Sequence, residues 1–248
     1  MTDKNYLSYK LNKKEYIIYI FLYEFAVGTV SHFFYDSSLP AVFMNIFLKR
    51  YLKFICNFLQ KKREARIRLE FLDMISSVSA SLSTGYSLEN AVTEAYNTVS
   101  NIYGVHSIIS QELVLMQRKL LLNIPVESIF EDLGNRTGID DIQVFSEIIK
   151  IAKKGGGDMI SVIKSTVDSI RNKIEVKEEI SSIVASKRYE QLIMSAMPFA
   201  IFIYIDFTQP DFFSPLYHNT LGILISSICL IIYFCSILLS KKLLEIEV

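Results

Sequence analysis

At 248 residues, 51% of them apolar, and a mean hydropathy of +0.31, the chain is too hydrophobic for an ordinary cytosolic domain. Yet 21% of its residues are charged, too many for a chain lying wholly in a bilayer, so membrane segments joined to a polar domain are expected. The 26 basic and 26 acidic residues cancel, so no global field draws the chain to nucleic acid, and Cys56, Cys229 and Cys235 form neither a disulfide framework nor a Cys-x-x-Cys pair.

In chain order, Lys4, Lys10, Lys13 and Lys14 precede an apolar and aromatic segment, residues 16–35, interrupted by Glu24 and His32. Glu24 and the lack of a small-residue cleavage site argue against a signal peptide. Residues 37–48 are apolar but span only about 18 Å as a helix, and Lys49 and Arg50 follow. The expectation is a tight membrane hairpin whose return helix runs out into the cytoplasm. The alternative is one spanning helix followed by an interfacial one. An acid at membrane depth is costly unless partnered, so Glu24 either meets a polar partner or lies near the interface.

Residues 66–188 are polar enough for water and read as helix throughout, with no period-two alternation to suggest a strand. Leu69, Leu72, Ile75, Ser79 and Leu82 mark the face of a first helix that ends at Thr84-Gly85. Ser87 caps a second helix, over residues 87–103, and Gly104 ends it. The third covers residues 106–122, with Ile109, Leu113, Met116 and Leu120 in one stripe. Pro125 suits the first turn of a fourth, over residues 126–136. Gly138 separates that from a fifth, where Asp140 and Asp141 favour the positive helix end and Val144, Phe145, Ile148, Ile149 and Ala152 supply the apolar face. After Gly155-Gly156-Gly157, Asp158 caps a long sixth helix with a narrow seam of Ile160, Ile163, Val167, Ile170 and Ile174. This helix is expected to continue through Lys187 and Arg188 into an apolar segment, residues 192–205, that contains Pro198.

No Asp, Glu, Lys or Arg lies between Asp211 and Lys241, and residues 216–239 are long enough to cross about 30 Å of hydrocarbon. The basic residues fall before the first membrane segment, from Lys49 to Arg68, and at Lys241 and Lys242. The loops on the other side hold only Asp36, Asp206 and Asp211. The positive-inside rule then gives four crossings with both termini in the cytoplasm. The expected architecture is all-α: an integral membrane protein with a cytoplasmic bundle of about six helices between two transmembrane hairpins. Its segments are a cytoplasmic N-terminus (1–15), a membrane hairpin (16–59), a helical domain (60–190), a second hairpin (191–240) and a tail (241–248).

Ser83-Thr84-Gly85-Tyr86-Ser87-Leu88-Glu89-Asn90-Ala91-Val92 resembles the signature of the type II secretion system F domain. Asn123-Ile124-Pro125-Val126 with Phe130, then Arg136-Thr137-Gly138 with Asp141 and Phe145, resembles its middle. Ala152-Lys153-Lys154-Gly155-Gly156, leading to Ile163 and Arg171, resembles its end, and Met197-Pro198 fits the following membrane helix. The likeness runs in this order over residues 66–239. A single F domain is most similar to the TadB/TadC branch of tight-adherence (Flp-type) pili. The resemblance implies a non-enzymatic platform in the bacterial cytoplasmic membrane, without cofactor or metal. It would couple a hexameric secretion ATPase (TadA/GspE-like) to pilin or pseudopilin assembly or export, beside a paralogous TadC-like subunit, as a homo- or hetero-oligomer in the lipid bilayer and with no nucleic acid. A sporulation stage III membrane protein with a related helical domain and a small membrane transporter are the alternatives.

Glu127, Glu131, Asp132, Asp140 and Asp141 form an acidic cluster that would suit a basic face of the motor, or simply favourable charge at helix starts. Gly85, Gly138, Gly155, Gly156, Gly157 and Pro198 are candidate turns or hinges. The triple glycine lacks the Gly-Lys-Ser/Thr and the preceding strand of a phosphate loop. His32, His106 and His218 have no metal-ligand spacing.

Overall fold

The computed structural model describes residues 6, 7, 9, 11–35, 44–155, 159–209, 212, 213 and 219–244. Among them every regular element is helical, and no strand occurs. The helices are α1 (Lys13–Tyr35), a 3₁₀ turn (Asn45–Phe47), α2 (Leu48–Ser83), α3 (Leu88–Tyr103), α4 (Ile108–Leu121), α5 (Val126–Thr137), α6 (Asp140–Gly155), α7 (Met159–Thr208) and α8 (Thr220–Leu244). The chain divides into two units. One comprises residues 1–10 and 55–176, the other 11–54 and 177–248.

In the first unit, local chemistry sets the helix ends. The Ser87 hydroxyl accepts from the Asn90 N–H at 3.3 Å, and that of Ser107 from the Ser110 N–H at 3.1 Å, the side-chain capping that satisfies orphan donors. Beyond α2, Gly85 adopts φ +94°. Its N–H bonds to the Leu82 carbonyl and that of Tyr86 to the Ser81 carbonyl, the paired reversal that closes a helix C-terminus. Asn123, at φ 57°, closes α4 in the same way through the carbonyls of Leu120 and Lys119.

The core is built on aromatic rings from three helices. Phe145 of α6 lies edge-on to Phe71 of α2 (5.6 Å between centroids) and to Phe130 of α5 (5.4 Å), and all three are fully buried. Edge-to-face pairs of this kind add about 0.5–1.5 kcal/mol beyond the area they bury. Ile109, Leu113 and Met116 of α4 complete the expected stripe, and Ile163, Val167, Ile170 and Ile174 carry the α7 seam into the same core.

Three parts of the expected core differ. In α2 the buried stripe is Ile67, Glu70, Phe71, Met74, Ile75, Val78, Ser79 and Leu82, whereas Leu69 is 38% exposed. The reason is that an acid occupies the stripe. In α6 the buried apolar residues are Ile142, Phe145 and Ile149, with Val144 on the outside, and in α7 Ile160 is also partly exposed.

In the second unit, α1 packs on α8, with Val27, Ser31 and Ser226 buried. Small side chains let helix backbones approach closely. Tyr23 of α1 donates to the Met44 carbonyl (2.6 Å) and stacks on Tyr51 of α2 (5.0 Å). Helix α7 continues without a break across Pro198. Tyr233 of α8 donates its hydroxyl to the Ser195 carbonyl, beside the Met194 carbonyl that the proline leaves without its helical N–H. Phe199 and Tyr233 meet edge-on. Two helices among the described residues are long and apolar enough to cross a membrane, α7 and residues Thr220–Ser240 of α8. Most large side chains on these segments face outward, among them Leu192, Ile201, Phe207, Leu224, Ile232 and Leu239. Residues 36–43 of the expected N-terminal hairpin lie outside the described residues.

Candidate functional site

The expected acidic cluster separates into residues that hold the fold and residues that face solvent. Asp141 is 4% exposed. Its Oδ1 accepts from Lys173 Nζ of α7 at 2.6 Å. Its Oδ2 lies 2.7 Å from Arg68 Nε of α2, off the hydrogen-bonding direction, so that contact is ionic. Asp141 thus ties three helices together, and its position argues for an interior structural role rather than docking. Asp132 of α5 accepts from Lys119 of α4 (2.7 Å) and from Arg136 one turn on (2.9 Å). Burial opposes ionisation of the Asp132 carboxyl, but the bonds and charges of Lys119 and Arg136 outweigh it and hold the pKa below the usual range.

The outward-facing acids lie on the α5–α6 side. Glu131 pairs with Lys150 at 3.1 Å, and Glu127 with Lys153 at 2.8 Å. The Lys153 bond holds the Glu127 carboxyl below its ordinary value. Both pairs are partly solvated, so each contributes little to stability. Asp140 opens α6 and is exposed. A polar hollow of ≈ 280 Å³ between α5 and α6 is lined by Glu131, Asn135, Gln143, Ser146, Glu147 and Lys150.

The most elaborate polar constellation was not among the expected sites. Glu112 of α4 is 1% exposed and receives both Arg136 terminal nitrogens, at 2.9 and 2.5 Å. This bidentate geometry suits a buried carboxylate. Burial alone would lower the Arg136 pKa, yet the Glu112 and Asp132 bonds raise it. The third donor to Glu112 is the hydroxyl of Tyr6, at 2.7 Å.

Tyr6 is 6% exposed and belongs to the main hydrophobic core. Its N–H donates to the Arg136 carbonyl at 2.9 Å, and its own carbonyl accepts from Arg63 at 2.5 Å. The Arg63 guanidinium lies 5.7 Å from the Tyr6 ring centre and 5.3 Å from that of Tyr9, within cation–π range. Gln60 donates to the Leu7 carbonyl at 2.8 Å. Leu7 covers Gly138, and a Cβ at that glycine would lie 2.4 Å from Leu7 Cδ2. Burial, then the bond to Glu112, raises the Tyr6 pKa well above the ordinary tyrosine value.

The energetics of this N-terminal strap are close to balance. Burying the tyrosine yields roughly 2–3 kcal/mol, and four hydrogen bonds add about 1 kcal/mol each. Ordering the backbone of Tyr6, Leu7 and Tyr9, and the side chains of Arg63 and Gln60 against them, costs about 1–2 kcal/mol per residue.

Of the expected turns, Gly85 and Gly138 take positive φ, +94° and +65°. Gly155 ends α6, whereas Gly156 and Gly157 lie outside the described residues. Pro198 lies inside α7, and Glu24 lies on an exposed face of α1. No group of three or more His, Cys, Asp or Glu poised for a metal occurs among the described residues. No family model, curated protein or solved structure matches the chain.

Proposed function

We propose that the chain is a non-enzymatic membrane platform of a type II secretion or Flp/Tad-type pilus assembly system. In this reading the helical bundle faces the cytoplasm and binds a hexameric secretion ATPase. The apolar helices, beside a paralogous subunit, guide pilin assembly or export. The observation that carries it is α7. Over 50 residues it contributes Ile163, Val167, Ile170 and Ile174 to the bundle core and then becomes apolar and outward-facing. Its last 20 residues, 189–208, measure about 30 Å, the thickness of bilayer hydrocarbon. A single helix therefore belongs to both the polar and the apolar unit, as coupling a motor to a membrane event requires. The ordered F-domain-like motifs support the same reading.

Topology is part of the proposal. The lysines that precede and open α1, Lys4, Lys10, Lys13 and Lys14, favour the cytoplasmic side for its start. The buried acids Glu70, Glu112 and Asp141 are each engaged by donors or cations within the fold, which fits a scaffold.

The test is co-purification of the detergent-solubilised chain with the secretion ATPase from the same cells. Glu127→Lys, Glu131→Lys and Asp140→Lys are combined in one variant, leaving Asp132 and Asp141 to hold their helices. Retention of the ATPase by the wild type and its loss from a variant of unchanged melting temperature is the expected result. No association with the wild type, under conditions where both proteins stay folded, overturns the coupling role.

A further inference from the structure

We propose that the groove between α2, α4 and α5 is a recognition slot for a short peptide bearing tyrosine followed by an aliphatic residue. In the resting chain, Tyr6 and Leu7 of its own N-terminus fill it as an exchangeable strap. The slot has the parts of a peptide site rather than those of a simple core contact. Its floor is the buried Glu112 carboxylate, oriented by Arg136 and accepting the phenol hydroxyl at 2.7 Å. Its wall is Arg63, which faces two aromatic rings of the strap, those of Tyr6 and Tyr9. The peptide backbone is read at three points. The Arg136 carbonyl accepts the Tyr6 N–H, Arg63 donates to the Tyr6 carbonyl, and Gln60 donates to the Leu7 carbonyl. The aliphatic position is set by Gly138, whose missing Cβ leaves the space that Leu7 Cδ2 occupies.

Backbone bonds of this kind do not depend on the identity of the side chains, so any segment with the same two residues and the same backbone path satisfies them. The tyrosine gives selectivity: its hydroxyl fills a place where a phenylalanine would leave one Glu112 oxygen without that donor. Four hydrogen bonds hold the strap and Leu7 is half exposed, so the strap opens as a local unit. The slot is a point at which a tyrosine-bearing segment in trans can take the place of the strap. This inference rests on the bundle alone and stands whether or not the chain serves a secretion machine.

The chain contains no tryptophan, so Tyr9→Trp in the full-length protein places a single reporter beneath Arg63. The probe is a synthetic peptide of residues 2–12. Added in excess to the detergent-solubilised reporter chain, it should shift the emission to the red, while the same peptide carrying Tyr6→Ala should not. A second chain lacking residues 1–9 should bind the fluorescein-labelled peptide saturably. A slot closed nine-tenths of the time lowers apparent affinity about tenfold, so the wild type should bind at least that much more weakly. A Tyr6→Phe peptide should bind the truncated chain about tenfold or more less tightly, the effect of one lost hydrogen bond to a charged acceptor. The proposal is overturned if the truncated chain keeps its helical signal and melting yet binds no better than wild type. It is also overturned if the Tyr6→Ala peptide binds as well as the native one. Should truncation unfold the protein, the reporter chain decides: emission indifferent to the native peptide up to its solubility limit overturns exchange.

Discussion

Glu70 shows how one residue can both hide and stabilise a helix face. Its side chain is fully buried in the α2 stripe. One oxygen accepts from Arg66 at 2.9 Å, and the other accepts from the Ile109 backbone N–H at 3.0 Å. Ile109 lies in the first turn of α4, so the carboxylate both caps that helix and meets the positive end of its dipole. Glu70→Ala removes the acceptor and leaves a buried N–H unsatisfied, which should lower unfolding stability by about 2–3 kcal/mol. Glu70→Gln keeps a carbonyl acceptor and should retain more than half of that. Denaturant midpoints of the two variants in detergent check the ordering, and a neutral Glu70→Ala would remove the capping role. The sequence alone pointed to Leu69 and Leu72 instead, because an acid in an apolar stripe reads as surface. What compensates Glu70 lies 39 residues away at the start of another helix. Tyr6 was illegible for the same reason. Its partners Arg63, Glu112 and Arg136 are all distant in sequence, and a tyrosine between lysines near a chain end has no local signature of burial.

Helix boundaries were far more legible, because capping is chemistry between neighbours. Ser87, Pro125, Asp140, Gly85, Gly104 and Gly138 all stand where the chain signals a start or a stop. The third helix starts later than residue 106 because the cap is Ser107. The α5–α6 turn carries a further constraint invisible to local reading. Gly138 has φ +65° and also lies under Leu7. Gly138→Ala should cost about 1–2 kcal/mol from the left-handed backbone alone, plus the overlap with the leucine. Leu7→Ala in the same chain removes the overlapping atoms but not the backbone strain. The double variant should therefore be more stable than the sum of the two singles predicts, by about 0.5 kcal/mol or more. Thermal unfolding of the four chains of this cycle measures that difference. Strict additivity would mean that Leu7 does not rest on the turn.

At the level of the whole molecule, the sequence reading of an all-helical chain agrees with the observed elements. Among the described residues the helices long and apolar enough to cross a membrane are the two toward the C-terminus, α7 and α8, of the four crossings expected. Charge asymmetry in the sequence put the N-terminus on the side of residues 60–190, and Tyr6 packs into the core of the unit that holds most of those residues. In the proposed function, residues 189–208 cross the membrane, which puts Gln209 outside the cell. With Cys56, Cys229 and Cys235 replaced by serine, single cysteines at Lys13, Glu89 and Gln209 should therefore differ in accessibility. A membrane-impermeant maleimide added to intact cells should label Gln209→Cys alone, and Lys13→Cys and Glu89→Cys only after permeabilisation. Labelling of Lys13→Cys from outside while Glu89→Cys stays protected would separate the start of α1 from the bundle by a bilayer. Labelling of neither Gln209→Cys nor Lys13→Cys before permeabilisation would instead place the α7–α8 connection on the bundle's side and remove the crossing from α7.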